Sequence, residues 1–120
     1  MFREFLKSKI HRATITESNL QYSGSLTIDR KIMEQAAILP GERVHVFNIN
    51  NGARFETYAI SGKAGSGEFV LNGAAARMGE VGDLIIVVTY CYLSKDEIPG
   101  YAPRILIMGK GNSIEKIISG

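Results

Sequence analysis

Apolar and polar residues fall into short alternating or continuous runs along this chain, and glycine sits mostly at the breaks between them. Phe2 to Thr16 predicts a strand, with Lys7, Lys9 and His11 on one face at a period of two. Asp29 to Ala37 has a helical period instead. There Asp29 is the N-cap, Ile32, Met33, Ala36 and Ala37 form the apolar stripe, and Pro40-Gly41 is the stop. Val44, Val46 and Ile49 lead into Asn50-Asn51-Gly52, and Arg54 to Ile60 follows. Asn-Gly between two strand-like runs predicts a hairpin, because both residues tolerate positive φ. Glu68 to Leu71 reads as a short strand, Ala74 to Met78 as a helical turn, Leu84 to Tyr92 as a long buried strand, and Arg104 to Met108 as one more. From Gly109 onward no element stands out, and the last residues are expected to fray. One echo is visible: Leu39-Pro40-Gly41-Glu42-Arg43-Val44-His45-Val46 and Glu80-Val81-Gly82-Asp83-Leu84-Ile85-Ile86-Val87 share a Gly-acid-strand order. Two such units suggest paired halves in a mainly β, small closed structure with short helices.

Composition narrows the class. A chain of 120 residues, 45% hydrophobic and 22% charged, fits a single domain with a buried core rather than a disordered segment. Its longest aliphatic run, Leu84 to Val88, is far short of the ~20 residues that span a bilayer. Nothing reads as a signal peptide, so a cytoplasmic protein with no membrane partner is expected. One cysteine, Cys91, has no internal disulfide partner, and two histidines are too few for an obvious zinc site, so no metal is expected. A net charge of +2 and the lack of Trp argue against nucleic acid.

The candidate chemistry centres on Tyr22-Ser23-Gly24-Ser25. A Gly-Ser pair between strand-like runs reads as a turn. It also permits self-cleavage, since a serine hydroxyl lies one five-membered ring from the preceding carbonyl carbon. If the fold strains and polarises that peptide, Ser25 attacks Gly24 and turns the amide into an ester. Glycine at 24 allows the close approach. Elimination of the ester then cuts the chain and leaves a dehydroalanine that hydrolyses to a pyruvoyl group.

Four segments stand in order: Lys9-Ile10-His11-Arg12-Ala13, Tyr22-Ser23-Gly24-Ser25-Leu26-Thr27-Ile28-Asp29, Asn51-Gly52-Ala53-Arg54-Phe55-Glu56-Thr57-Tyr58-Ala59-Ile60 and Asn72-Gly73-Ala74-Ala75-Ala76-Arg77. Together they closely resemble the pyruvoyl-dependent aspartate 1-decarboxylases, which make β-alanine for pantothenate synthesis. The resemblance runs to about Tyr90, and residues beyond Asp96 carry little of it. It implies a double-psi β-barrel and a homotetramer with sites between subunits. It also implies a cut between 24 and 25, giving a small N-terminal chain 1–24 and a larger chain 25–120.

By the same resemblance, Ser25 becomes the pyruvoyl cofactor, with no pyridoxal phosphate and no metal, and binds L-aspartate as a Schiff base. That group is the electron sink for decarboxylation. Tyr58 matches the proton donor. Thr57 matches a substrate contact that also assists cleavage at the Gly24 carbonyl. Arg54 matches a carboxylate-binding position, which suits a planar guanidinium. Gly73, Ala74 and Ala75 match a substrate-binding segment, Asn72 a donor to the processing intermediate or a cap for the turn, and Lys9 and His11 basic residues near the site.

Without the resemblance, Arg54 and Lys9 read as solvated charges, Tyr58 as packing, and Cys91 as a buried small hydrophobe. His45 matches no role. In a regular strand Arg54 and Tyr58 share a face that Thr57 does not, so a twist, a bulge or a shared site between subunits is required. The alternative function is a non-cleaving double-psi barrel acting as a binding module, because a fold does not by itself assign a function.

Overall fold

The structure is a computed structural model, described over residues 1–119. It is mainly β. Among the described residues the strands are β1 Phe2–Thr14, β2 Glu17–Asn19, β3 Ser25–Asp29, β4 Arg43–Asn48, β5 Arg54–Gly62, β6 Phe69–Asn72, β7 Leu84–Ser94, β8 Arg104–Met108 and β9 Ile114–Ser119. A helix, α1 (Arg30–Ala36), and two 3-10 segments, Gly73–Met78 and Lys110–Asn112, complete it.

The strands lie in the order β2-β6-β3-β5-β4-β7-β1-β8-β9. Read outward from the central β4–β7 pair, both halves pair antiparallel, then parallel, then antiparallel. The sheet curls round one core, with Ile10, Leu26, Val46, Phe69, Val87 and Leu106 wholly buried. Removing any of these large side chains to Ala costs about 2–5 kcal/mol. The curl is fastened where β1 ends. Thr16 N–H donates to Phe69 O at 2.9 Å, and the Asn112 side chain bonds both backbone groups of Thr14 and the Gly67 carbonyl. The expected small closed β-barrel with short helices is the fold observed.

The sequence echo is structural. Gly41 N–H donates to Ala59 O while Glu42 O accepts from Ala59 N–H; Gly82 and Asp83 make the same two-way exchange with Ile15. Each acid also caps its own turn, Glu42 accepting from Leu39 N–H and Asp83 from Glu80 N–H. Val46 and Val87, which match each other in the echo, are direct partners across β4 and β7. The pseudo-two-fold axis therefore passes between them.

Helix α1 depends on its ends. Asp29 accepts from Lys31 N–H at 2.8 Å as N-cap, and also from Gly65 and Gly67 N–H at 3.0 and 2.8 Å, tying the turn before β6 to the helix. At the other end, Lys7 Nζ donates to Ala37 O at 2.8 Å, and Arg104 donates to Gln35 O. Two cations thus meet the negative end of the helix dipole, although α1 has no basic residue in its own last turn.

Several expectations are corrected. Ala37 is exposed and caps α1 in the left-handed region (φ 58°), so the helix stops before Pro40, and Ile38 takes the buried place in the stripe. Lys7, Lys9 and His11 alternate with buried Ser8 and Ile10 as expected, although the Lys7 ammonium is held by Ala37 O and Glu42. The first strand ends at Thr14, and Glu17–Asn19 forms a separate short strand. From Gly109 a 3-10 segment, Lys110–Asn112, and β9, Ile114–Ser119, do form, and the fraying expected at the last residue lies outside the described residues. The hairpin stands, with Gly52 at φ 75° and the Asn48 side chain accepting from Asn50 N–H.

Candidate active site

Ser25 opens β3 and is completely buried. Its register partner on β6 is Asn72, whose Nδ2 donates to Ser25 Oγ at 3.0 Å and to Thr27 Oγ1 at 2.8 Å. Asn72 therefore does not cap the 3-10 segment that follows it; its side chain is committed to the two hydroxyls. The Ser25 hydroxyl in turn faces Ser23 O, at 3.5 Å. An amide donor on the serine oxygen leaves the hydroxyl proton pointing elsewhere and fixes where the oxygen sits.

Gly73 packs against this cluster from the other side. It has φ +61°, and a Cβ there would lie 2.5 Å from Tyr22 O, 2.6 Å from Gly24 N and 2.7 Å from Gly24 Cα. The backbone at 73 thus lies directly on the Gly24 segment, an approach only glycine permits. A Cβ on Gly24 would lie 3.8 Å from Ala74 N, so the first residues of the 3-10 segment also flank the Gly24–Ser25 bond. Ala75 is buried behind them.

Strand β5 supplies the next two residues. β3 and β5 run parallel with Leu26 opposite Ala59. Continuing that register back sets Ser25 beside Tyr58 and Gly24 beside Thr57. Alternation along β5 is unbroken, with Arg54, Glu56 and Tyr58 exposed and Phe55, Thr57 and Ala59 turned inward. The β4–β5 register carries no shift. No bulge reconciles Thr57 with Tyr58: the two point to opposite sides of β5, next to the end of the ladder where the Gly24–Ser25 pair begins.

The remaining residues lie apart from this cluster. Arg54, Phe47, Ile86 and His11 form one row across β5, β4, β7 and β1, and Glu56, His45, Val88 and Lys9 form the next. Both rows face outward, since Ile10, Val46 and Val87 of the same strands point into the core. Arg54 stacks on the Phe47 ring at 4.4 Å. His45 lies 3.2 Å from Glu56, which also takes Arg43, and its ring meets Tyr90 edge-on. Strand β1 is four strands from β3, roughly 19 Å along the sheet at ~4.8 Å per strand.

Burial, then the nearby charges of Lys9 and Arg12, hold His11 below its ordinary pKa, and its Nδ1 is buried without a partner. Cys91 is half-buried against the Tyr101 hydroxyl at 3.5 Å. Burial, followed by that thiol, pushes Tyr101 up to about 12. Among the described residues, no three His, Cys, Asp or Glu side chains lie close enough together to hold a metal ion.

Sequence reasoning missed Thr27, Gly62 and Phe47. Thr27 was findable as the residue two places beyond Ser25 on one strand face. Phe47 and Gly62 meet their partners, Arg54 and Thr27, only through folding.

The chain matches the aspartate decarboxylase family over residues 1–115. It is 52% identical over 119 residues to the aspartate 1-decarboxylase of Staphylococcus epidermidis, covering 99% of this chain and 93% of that one. Against the aspartate 1-decarboxylase of Staphylococcus aureus strain Newman the identity is 52% over 118 residues, covering 98% of this chain and 93% of the relative.

Proposed function

The chain belongs to the aspartate decarboxylase family, and from that membership we propose that it cuts itself between Gly24 and Ser25 and then converts L-aspartate to β-alanine and CO2, feeding pantothenate synthesis. The observation that carries the reading is the buried Ser25 hydroxyl, held by Asn72 at 3.0 Å against a segment that Gly73 presses from behind.

The cut follows from these residues. Ser25 Oγ bonds to the Gly24 carbonyl carbon, the C–N bond breaks, and the freed nitrogen takes the hydroxyl proton, giving an ester. Loss of the Ser25 Cα proton with departure of the Gly24 carboxylate breaks the Cβ–O bond and leaves dehydroalanine. Its imine form then adds one water and releases one ammonia, leaving a pyruvoyl group at position 25 and a free carboxylate on Gly24. Thr57, beside Gly24 in the continued register, polarises the carbonyl under attack.

A keto group at this position fits its surroundings, where a side-chain amide donor and the start of the 3-10 segment lie against the Gly24–Ser25 bond. When present, the pyruvoyl carbonyl supplies the sink for the electron pair that decarboxylation releases. Tyr58, beside position 25, returns a proton to the carbon that lost CO2. Backbone N–H groups of Gly73, Ala74 and Ala75 bind a substrate carboxylate.

Lys9 and His11 are read as serving the Ser25 of another chain, and Arg54, four residues from Tyr58 along β5 (about 13 Å at ~3.3 Å per residue), is read with them. Lys9 and His11 stand four strands away, and outward side chains that far apart on a barrel diverge. A second copy, laying its Arg54–His11 face against the Ser25 pole, completes the site. This supports a homo-oligomer, read as the tetramer, with each site shared between protomers.

The test is β-alanine release from L-aspartate by purified protein without added pyridoxal phosphate. Wild type is active; Ser25→Ala stays uncut, folded and inactive. Cleavage or decarboxylation by Ser25→Ala contradicts the mechanism, as does dependence on pyridoxal phosphate.

A further inference from the structure

We propose that Thr27 is a positioning residue for the Gly24–Ser25 cut, its hydroxyl pinning the Asn72 amide onto the Ser25 hydroxyl. The inference rests on the self-cleavage reading but uses geometry that reading does not need. Asn72 Nδ2 has two hydrogens: one goes to Ser25 Oγ at 3.0 Å and the other to Thr27 Oγ1 at 2.8 Å. Both hydroxyls lie on one side of β3, two residues apart, opposite a register partner that reaches both. The terminal torsion of an asparagine is broad and weakly restrained, so an amide bonded at one point swings and an amide bonded at two does not. Asn72 is 5% exposed, and a hydrogen that loses its acceptor there finds no ready water.

Thr27 is itself fixed. A Cβ at Gly62 would come within 2.9 Å of the Thr27 Cγ2 methyl, so the glycine leaves the space the methyl fills. A β-branched side chain is stiff about χ1. With its methyl seated against Gly62, Thr27 presents its hydroxyl to Asn72. The Asn72 amide in turn sets the position from which Ser25 Oγ approaches the Gly24 carbonyl. Small displacements at that stage matter, because an intramolecular attack depends on alignment of the reacting atoms.

The test compares Thr27→Val, which keeps the shape and removes the hydroxyl, with Thr27→Ser, which keeps the hydroxyl. Full chains are purified promptly, and the cleaved fraction is followed over time by denaturing intact mass spectrometry. Circular dichroism and thermal melting check the fold of each variant. Thr27→Val is expected to cleave about tenfold more slowly than wild type, the loss of one buried hydrogen bond to the nucleophile's anchor. Thr27→Ser is expected to recover most of the rate. A Thr27→Val chain that cleaves at the wild-type rate overturns the inference. So does a Thr27→Ser chain that cleaves as slowly as Thr27→Val, since keeping the hydroxyl then restores nothing. A wild-type chain that never cleaves overturns the self-cleavage reading and this inference with it, an outcome distinct from wild-type cleavage that Thr27→Val leaves untouched.

Discussion

At the scale of single residues, the site is defined by close backbone approaches and by one amide serving two hydroxyls. Gly73 is the most constrained position, because any Cβ would meet backbone atoms of Tyr22 and Gly24 rather than a yielding side chain. Gly73→Ala is therefore expected to slow cleavage at least about tenfold and to lower the melting temperature, since a left-handed alanine alone costs about 1–2 kcal/mol. Wild-type cleavage kinetics in that variant would show that the Gly24 segment does not rest on residue 73. Tyr58→Phe removes one hydroxyl from an exposed strand face, so cleavage should proceed while turnover drops by about a hundredfold. Full turnover would move the proton donor elsewhere. Ser25 and Gly24 were legible in the sequence because their chemistry needs only adjacency. The Thr27–Asn72 contact was not, because its partners are 45 positions apart and meet only when β3 pairs with β6.

At the scale of elements, strands with clean alternation and the Asn-Gly hairpin were legible, since local pattern and turn chemistry decide them. The end of α1 was not, because a non-glycine residue, Ala37, takes the left-handed cap. Strand β9 was not legible either: Ile117 and Ile118 both remain exposed on an edge strand, so burial imposes no period of two. Asp29 joins three elements and yields a test of the scaffold. Burial alone would raise its pKa, but N–H groups of Gly67, Gly65, Lys31 and Ile32 outweigh that and hold it below the ordinary carboxylate value. A depressed folded pKa means the folded state binds fewer protons than the unfolded one in the acid range. The stabilisation from Asp29 is complete above the unfolded pKa of about 4 and is lost as pH falls through the lower folded value. Asp29→Asn should cost about 1–2 kcal/mol at neutral pH, with the gap in melting temperature to wild type closing on acidification. A gap that stays constant down to strongly acid pH would rule out the charged cap as its source.

At the scale of the whole molecule, the strand order sets Lys9 and His11 four strands from the Ser25 cluster, while Arg54 shares the outer face of β5 with Tyr58. The Ser25 cluster sits where β3, β5 and β6 converge, and Lys9, His11 and Arg54 occupy the outer face of β1, β4, β5 and β7. No inspection of strand periodicity alone separates one face from a neighbour's, so this division emerged only from the full strand order. It predicts complementation: Arg54→Ala and Ser25→Ala are each inactive alone, and co-assembled they regain part of the activity, because one protomer contributes Ser25 and the other Arg54. Mixed assemblies as inactive as their parents would place both groups in one chain's site. The central claim, that Ser25 cuts the chain and becomes the cofactor, is tested most directly by denaturing intact mass spectrometry of wild-type protein, fresh and after warm incubation. The account predicts two fragments parting after Gly24, the larger lighter by one ammonia than a chain that begins with serine. A single intact mass that persists, or a cut at that bond without the loss of ammonia, would contradict it.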